Sequence, residues 1–301
     1  GGSVPISGNV ISGNHGDGIN LEGIDAVANE IQGNRIGTTA NGLGPLANFQ
    51  NGIHVHGGAR EVVIGTEGNG KDDSTEGNLV SGNARSGILI TGANTTQVIV
   101  AGNLIGTDKD GTTSIGNHNH GILIQQGVHA IRIGTDGNLL SDRIEGNLIS
   151  GNYKNGIELT DAVTTDNIVA GNQIGTDITG SGALSNAGSG LVLSHGTYGN
   201  RIGTDGNGTA DQTERNVISS NIRDGITIRG SGTRDNSIAG NFIGVDQSGR
   251  RALGNSGSGI FLSDGASFNH IGSDENHIAD ADEANVISGN TTHGVLISGN
   301  T

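Results

Sequence analysis

Five copies of one short motif divide this chain into equal units. The motif is Asn-Val-Ile-Ser-Gly-Asn with conservative changes, and its copies begin at Asn9, Asn78, Asn147, Asn216 and Asn285. Each step is 69 residues, so no insertion or deletion interrupts the series. Such a period indicates a repeat architecture in which every unit contacts only its neighbours. We therefore expect one elongated domain over residues 1–301, taken from a longer chain. The predicted units are 9–77, 78–146, 147–215, 216–284 and a partial 285–301.

A second pattern shows that each unit contains two coils. A Gly-Ile strand signal recurs at alternating steps of 34 and 35 residues. Its first apolar residues are Ile19, Ile53, Ile88, Ile122, Ile157, Leu191, Ile226, Ile260 and Val295. Alternation of apolar and polar residues within each signal is typical of a half-buried strand. Each 69-residue unit is therefore predicted to make two turns of one solenoid.

Three short strands per coil are expected, separated by Gly-Asn corners. In the first coil the strand signals centre on Ile11, Ile19 and Ile31. Glycine and asparagine tolerate the left-handed backbone angles that sharp corners require. Stacked coils would pair strand on strand about 4.8 Å apart. Asparagines at equivalent corners could then form side-chain amide ladders. The predicted fold class is all-β, a parallel β-helix.

The composition limits which residues can form the core and which classes of partner the chain can bind. Aromatic residues are 2% of the chain, and Cys, Met and Trp are absent. The core must then be thin and built from Ile, Val and Leu. A net charge of −15 disfavours nucleic acid, which requires a basic face, and makes divalent cations plausible partners. No apolar run approaches the ~20 residues of a membrane span.

The motifs as a set carry a family resemblance. Asn147-Leu-Ile-Ser-Gly-Asn152, Gly156-Ile-Glu-Leu159, Gly171-Asn-Gln-Ile-Gly-Thr-Asp177 and Ile202-Gly-Thr-Asp-Gly-Asn-Gly208 follow one another in register. This pattern resembles the right-handed parallel β-helix repeat proteins of the pectate-lyase-like superfamily, in particular a bacterial surface or secreted subset. The resemblance covers essentially the whole chain and implies a right-handed solenoid. That family includes lyases, epimerases, adhesins and surface proteins of unknown role, so fold alone does not give function.

The strongest site signal is an acidic loop that occurs once in each complete unit. It carries carboxylate, amide, carboxylate and carboxylate at relative positions 1, 3, 7 and 10. The predicted ligands are Glu67, Asn69, Asp73 and Glu76; Asp136, Asn138, Asp142 and Glu145; Asp205, Asn207, Asp211 and Glu214; and Asp274, Asn276, Asp280 and Glu283. Ca²⁺ takes six to eight oxygen ligands of these types. The spacing therefore predicts up to four calcium sites.

The same residues have a purely structural interpretation. Asp and Asn form Asx-turns without a metal, and the glutamates could pair with Arg143, Arg215 or Lys71. Both interpretations fit the sequence.

Two other patterns favour structure over chemistry. Asp108, Asp177 and Asp246 each precede a glycine by three residues, a spacing typical of a type I turn. The histidine pairs, His54 with His56 and His118 with His120, do not recur in the other units. We predict that His54 and His56 face outward as a solvated pair, with Glu22 near His56 on the preceding coil.

One face of the solenoid is predicted to carry an apolar stripe. The outward positions of the Gly-Ile strands are Asn20, His54, Leu89, Leu123, Glu158, Val192, Thr227, Phe261 and Leu296. Five of these nine are apolar. An exposed apolar stripe often marks a partner surface, and the alternative is that neighbouring loops fold back over it.

The sequence favours a structural or interaction rod from an extracellular or cell-surface protein, serving as a stalk, a fibre or an adhesive module. Calcium is its expected stabilising ion. Its partners would be a glycan, another cell-surface molecule or further copies, end to end or side by side. The alternative is a polysaccharide-active β-helix enzyme, a lyase or epimerase on acidic glycans. Since no catalytic cluster stands out from the repeat background, the sequence predicts no catalytic residue and leaves enzyme activity open.

Overall fold

A computed structural model describes residues 8–274 and 276–299, and it is a parallel β-solenoid. Its strands form three parallel sheets, one strand of each sheet per coil. Sheet 1 contains β1 Val10–Ile11, β4 Arg35–Ile36, β7 Leu79–Val80, β10 Leu104–Ile105, β13 Leu148–Ile149, β16 Gln173–Ile174, β19 Val217–Ile218, β22 Phe242–Ile243 and β25 Val286–Ile287. Sheet 2 contains β2 Ile19–Glu22, β5 Ile53–His56, β8 Ile88–Thr91, β11 Ile122–Gln125, β14 Ile157–Thr160, β17 Leu191–Ser194, β20 Ile226–Arg229, β23 Ile260–Ser263 and β26 Val295–Ile297. Sheet 3 contains β3 Glu30–Ile31, β6 Val63–Gly65, β9 Ile99–Ala101, β12 Arg132–Gly134, β15 Ile168–Ala170, β18 Arg201–Gly203, β21 Ser237–Ala239 and β24 His270–Ile271.

This architecture confirms the predicted all-β fold with three short strands per coil and two coils per unit. Strands pair in the register that the repeat predicts: Ile122 lies opposite Ile88 on one side and Ile157 on the other. The helical residues described are three single turns, α1 Asp73–Glu76, α2 Asp142–Glu145 and α3 Asp280–Glu283. All three lie in acidic loops. No helix among the described residues has the length and apolarity needed to cross a membrane.

The core is a narrow column of aliphatic side chains. Buried Ile, Val and Leu from all three sheets form one cluster, to which Ala59 is added. Along β11 the alternation is visible directly, because Ile122 and Ile124 are fully buried while Leu123 is half-buried. Each buried aliphatic side chain contributes about 1.5–3 kcal/mol relative to exposure. Stability therefore accumulates coil by coil.

Ladders of asparagine side chains stack at the corners, as predicted. In one ladder Asn83 Nδ2 donates to Asn117 Oδ1 (2.9 Å), and Asn117 Nδ2 donates to Asn152 Oδ1 (2.9 Å). Asn117 Nδ2 also donates to the buried Val80 carbonyl at 3.0 Å. Corners bend the backbone out of the strand ladder, so their polar groups need such partners.

Some corners accept only glycine. Gly134 has a φ of +96°, and a Cβ there would lie 1.8 Å from the carbonyl oxygen of Ala170 on the next coil. The positive φ and the close approach each exclude a side chain. The high glycine content of this chain is thus partly a requirement of coil stacking.

We predict that Asn117→Ala destabilises the solenoid by about 3 kcal/mol, because three buried partners on the two neighbouring coils, Asn83, Val80 and Asn152, lose a hydrogen bond. Chemical denaturation measures the loss. Asn94→Ala, at an exposed turn asparagine, is the control and should change the free energy of unfolding by less than about 0.5 kcal/mol. Equal effects of the two substitutions would contradict a structural role for the ladder.

Candidate functional site

The acidic loops lie beside sheet 3, each directly after one of its strands. In three loops, one oxygen from each of three carboxylates lies within 4.8 Å of the others. These groups are Asp136, Asp142 and Glu145; Asp205, Asp211 and Glu214; and Asp274, Asp280 and Glu283. The first carboxylate of each group is exposed and the last is buried. The fold thus brings together three of the four predicted ligands in units two to four.

Two of these groups contain an arginine that sequence proximity did not suggest. Arg132 Nη1 lies 2.9 Å from Glu145 Oε1, and Arg201 Nη1 lies 2.9 Å from Glu214 Oε1. Glu145 and Glu214 therefore pair with these arginines and not with Arg143 or Arg215, which the structural interpretation had offered as partners. The outward side chain of a sheet 3 strand reaches the loop that follows 13 residues later. The equivalent residue in unit four is His270, so that loop lacks the arginine.

The predicted amide ligands form hydrogen bonds within the turns of their loops. Asn138 Nδ2 donates to Asp136 Oδ2 (3.1 Å), and Asn138 Oδ1 accepts the Leu140 N–H (2.7 Å). Asn69, Asn207 and Asn276 make the same pair of contacts in their own loops. These are Asx-turns, which the structural interpretation predicted. Metal binding by the neighbouring carboxylates stays a prediction.

The first acidic loop differs from the others. Its residues Glu67, Asp73 and Glu76 are not among the carboxylate groups that converge in the described chain. Burial would raise the pKa of Asp73, but hydrogen bonds from Ser141, Gly70 and Thr66 outweigh it and hold that pKa below its usual value. Burial, with nearby carboxylates, raises the pKa of Glu67. Of the four acidic loops, this one therefore gives the least support to the predicted cation site.

The Asp-x-x-Gly loops are turns, as predicted. Gly111 N–H donates to the Asp108 carbonyl (3.0 Å), and the Asp177–Gly180 and Asp246–Gly249 loops repeat the bond. The Asp108 carboxylate also accepts the Thr112 and Thr113 N–H groups at 2.9 and 3.2 Å. These carboxylates accept hydrogen bonds from backbone N–H groups of their own loops.

The first histidine pair faces outward on β5, as predicted. The rings of His54 and His56 stack with centroids 4.1 Å apart. His54 Nδ1 lies 3.3 Å from Asp17 Oδ2, and His56 Nε2 lies 3.9 Å from Glu22 Oε2. Burial, then the proximity of His56, lower the pKa of His54. The two Nε2 atoms contact opposite neighbouring coils, through Thr91 and Asn20, so they do not converge on a common point.

The second histidine pair borders the outer face of sheet 2. His120 is 7% exposed, and its Nδ1 lies 3.3 Å from Glu158 Oε2. Burial lowers the pKa of His120 more than the charge of Glu158 raises it. A lowered pKa favours the neutral imidazole, which is the form that can accept a proton.

A groove of about 410 Å³ lies on the outer face of sheet 2 next to this pair; we call it the sheet 2 groove. Its floor is formed by Val192, Thr227 and Phe261, which are outward positions of consecutive strands. Its walls contain Tyr153, Lys154, Asn155, Arg223, Asp224, Arg229 and Asp264. The predicted apolar stripe is thus partly covered. Val192 is 3% exposed, and the turns before the strands shield the floor, with Ser189 hydrogen-bonded to Thr227 at 3.0 Å.

The groove's cations are its distinctive feature. Lys154, Arg223 and Arg229 are exposed, and none forms a salt bridge within residues 8–274 and 276–299. The acidic side chains there are already engaged: Asp224 accepts the Ser258 N–H (2.8 Å) and the Thr227 hydroxyl (3.2 Å). The groove therefore carries three cations against two carboxylates, a local excess of positive charge in a strongly acidic protein.

The predicted stripe included the floor of this groove, but sequence reasoning missed its cations, although a signal was present. Aligning the units shows Gly16, Arg85, Lys154 and Arg223 at one repeat position, and Glu22, Thr91, Thr160 and Arg229 at another. At both positions at least one unit lacks a basic residue, whereas the site prediction rested on residues that all complete units share.

The comparisons with known proteins concern the fold alone. No protein-family model matches the chain, and no curated protein matches it. Crystal structures of the periplasmic alginate epimerase AlgG are similar to it, at 18% sequence identity over 83% of this chain, with a TM-score of 0.43. A double mutant of AlgG gives a TM-score of 0.47 at the same identity. This chain matches 48% of the length of those structures, so it spans about half of them.

We predict that Arg132→Ala destabilises the protein by about 3 kcal/mol, because Glu145 would keep a fully buried charge without its partner. Thermal unfolding and urea titration measure the change. Arg250→Ala, at an exposed arginine of an Asp-x-x-Gly loop, is the control and should have little effect. An unchanged free energy of unfolding for Arg132→Ala would show that Glu145 is satisfied by its other hydrogen bonds.

Proposed function

We propose that this chain binds an acidic polysaccharide along the sheet 2 groove. The observation that carries the proposal is the set of exposed, unpaired cations, Lys154, Arg223 and Arg229, around one groove in a chain of net charge −15. Guanidinium and ammonium groups pair with carboxylates. We also propose that the protein acts at the cell surface or in the extracellular space, where it would meet such a polysaccharide.

The repeat gives the cations a regular spacing that suits a linear polymer. Arg85, Lys154 and Arg223 are successive copies of one position, and each step crosses two coils. Two coils correspond to about 9.6 Å along the solenoid axis. A polyuronate also carries its carboxylates at regular intervals, so several contacts can form along one chain. Tyr153, which is 61% exposed, adds an aromatic surface beside Lys154.

The groove, together with the adjoining His120, which is not part of its lining, provides groups that lyase or epimerase chemistry on a uronate would use. That chemistry removes the proton next to a carboxylate, so it needs a cation on the carboxylate and a base. Lys154, Arg223 and Arg229 supply positive charge. His120 lies one coil before Asn155, whose carbonyl accepts the Gly121 N–H at 3.1 Å. Its neutral imidazole is the base that we assign to such a reaction.

We predict that the double variant Lys154→Gln/Arg223→Gln binds a polyuronate about tenfold more weakly, since two exposed ion pairs contribute roughly 1–2 kcal/mol. Calorimetry with alginate and with polygalacturonate at two salt concentrations measures the change, and the wild-type affinity should fall as salt rises. Arg250→Gln/Arg251→Gln removes the same charge elsewhere and should bind as wild type does.

Equal affinities for the groove variant and the wild type would overturn the proposal. Ultraviolet absorbance of unsaturated uronate ends, and NMR of the recovered polymer, report lyase and epimerase activity in the same samples. Loss of that activity in His120→Gln with binding retained is the outcome expected if His120 is the base.

The acidic loops support a second proposal, a calcium-stabilised rod that serves as a stalk, a fibre or an adhesive module. Its support is the convergence of three carboxylates in units two to four. In units two and three, Arg132 and Arg201 already offset part of the negative charge. Unit four has His270 in that place, and its Nε2 contacts the Ser273 carbonyl at 2.7 Å. We therefore expect the fourth loop to bind Ca²⁺ most tightly.

For this second proposal, Ca²⁺ at 100 times its dissociation constant should stabilise the protein by about 2.7 kcal/mol per site. Thermal unfolding of metal-stripped protein with and without Ca²⁺ measures the shift. Asp274→Asn/Asp280→Asn should remove more of it than the matched pair Asp136→Asn/Asp142→Asn. No heat of binding and no thermal shift in the wild type would reduce these loops to turn structure.

A further inference from the structure

A second cavity, of about 420 Å³, lies on the outer face of sheet 1; we call it the sheet 1 cavity. Its floor is Gln173, Val217 and Phe242, which pair in register on three consecutive strands. Arg143 and Arg215, from the acidic-loop side, form one wall. The opposite wall contains Gln247 from an Asp-x-x-Gly loop, so two different loops enclose the floor.

The lining is cationic and rich in amides. It includes two guanidinium groups and the side-chain amides of Gln173, Gln212 and Gln247, and it contains no carboxylate. Asp282, outside the lining, accepts a long hydrogen bond from Gln212 (3.3 Å). The Arg143 side chain forms no salt bridge with any residue that the structure describes. Such a lining is suited to an anion that also carries hydroxyl groups.

Arg215 is held in place before any ligand arrives. Its Nε donates to the Gly240 carbonyl at 2.6 Å, and its guanidinium lies 4.2 Å from the centroid of the Phe242 ring. Stacking on an aromatic ring fixes the plane of a guanidinium and leaves its other N–H groups for a ligand. A fixed donor loses little conformational freedom on binding.

The Gln173 side chain contains a hydrogen-bond acceptor that has no partner among the described residues. This acceptor is Oε1, and it is buried. Buried polar atoms are nearly always paired, so turning the Gln173 amide toward the cavity would let this acceptor pair with a donor from outside the protein chain. A hydroxyl group can provide it.

These residues occur in one place only, although the chain is a repeat. Where this cavity has Arg215, the other units have a small residue, and Gln173 and Gln247 are likewise unmatched. The equivalents of Arg215 are Gly77, Gly146 and Ala284; those of Gln173 are Arg35, Leu104 and Phe242; and those of Gln247 are Ala40, Lys109 and Ile178. A single departure from the repeat in three adjoining side chains marks a site, whereas coil stacking requires only the shared residues.

We propose that the sheet 1 cavity binds a single uronic acid unit, with its carboxylate on Arg143 and Arg215 and a hydroxyl group on Gln173. This site is separate from the sheet 2 groove, and it does not depend on binding of a polymer there. The two sites would take the same class of sugar on different faces of the solenoid.

The repeat itself supplies conservative variants for the test. Gln173→Leu and Arg215→Gly each install the residue that unit two carries at the same position, so the fold has a precedent for both. NMR titration with D-glucuronate should show saturable binding to the wild type. Each variant should weaken it by about tenfold, the usual effect of losing a hydrogen bond to a charged or buried group. D-glucuronamide, which lacks the negative charge, should also bind about tenfold more weakly than D-glucuronate.

Two controls separate this site from the groove. The variant Lys154→Gln/Arg223→Gln should keep its affinity for D-glucuronate, and Arg143→Gln provides a third cavity variant whose exposed side chain is not needed for folding. Unchanged binding of D-glucuronate to Gln173→Leu and Arg143→Gln, or equal binding of D-glucuronate and D-glucuronamide, would overturn the proposal. Absence of saturable binding to the wild type would overturn it as well, while leaving polymer binding in the groove to its own test.

Discussion

The hydrogen-bonded asparagine ladders are the interaction on which the rest of this solenoid depends. A three-sided coil must turn sharply three times, and at each turn the backbone leaves the strand ladder. The backbone N–H and C=O groups at a turn have no strand partner, and they cannot reach water because the next coil covers them. Asn117 resolves this by donating both to Val80 and to Asn152 while accepting from Asn83. One side chain thereby connects its own corner to the coil on either side.

This requirement explains why the repeat contains no insertion. A corner asparagine stacks on the asparagine at the equivalent corner of the next coil. Gly134 lies so close to the Ala170 carbonyl of the next coil that a side chain there would clash. An added residue in a corner would break both contacts. Variation is therefore confined to side chains that point outward and to loops that leave the coil. The acidic loops and the Asp-x-x-Gly loops are two such places, and even there the turn-forming residues are kept.

Most of the fold was predictable because its causes are local and repeated. The spacing of Ile122, Ile157 and their equivalents specifies the sheet 2 strands, and the corner asparagines specify the stacking. The site was less predictable, for physical reasons. The pairing of Arg132 with Glu145 depends on how a loop returns to its strand, which spacing does not reveal. The single helical turn at Asp142–Glu145 depends on a local pattern of acceptors too short to give a periodic signal. Asn138 was predicted as a metal ligand because amide oxygens bind calcium; the spacing did not reveal that its oxygen accepts the Leu140 N–H, and metal binding there stays a prediction.

In a repeat protein, comparison of the units shows which residues the fold requires, because those residues recur in every unit. A protein without repeats offers no such internal comparison. A residue that recurs in every unit is explained by stacking, turn formation or a function that is itself repeated. A residue that departs from its equivalents needs an explanation of its own. By this criterion Arg229 and Tyr153 on sheet 2, and Arg215 and Gln173 on sheet 1, are the informative positions. All four belong to units three and four, at neighbouring heights on the solenoid. Two faces of the same coils thus carry positive charge in an acidic chain, and stacking requires neither of them.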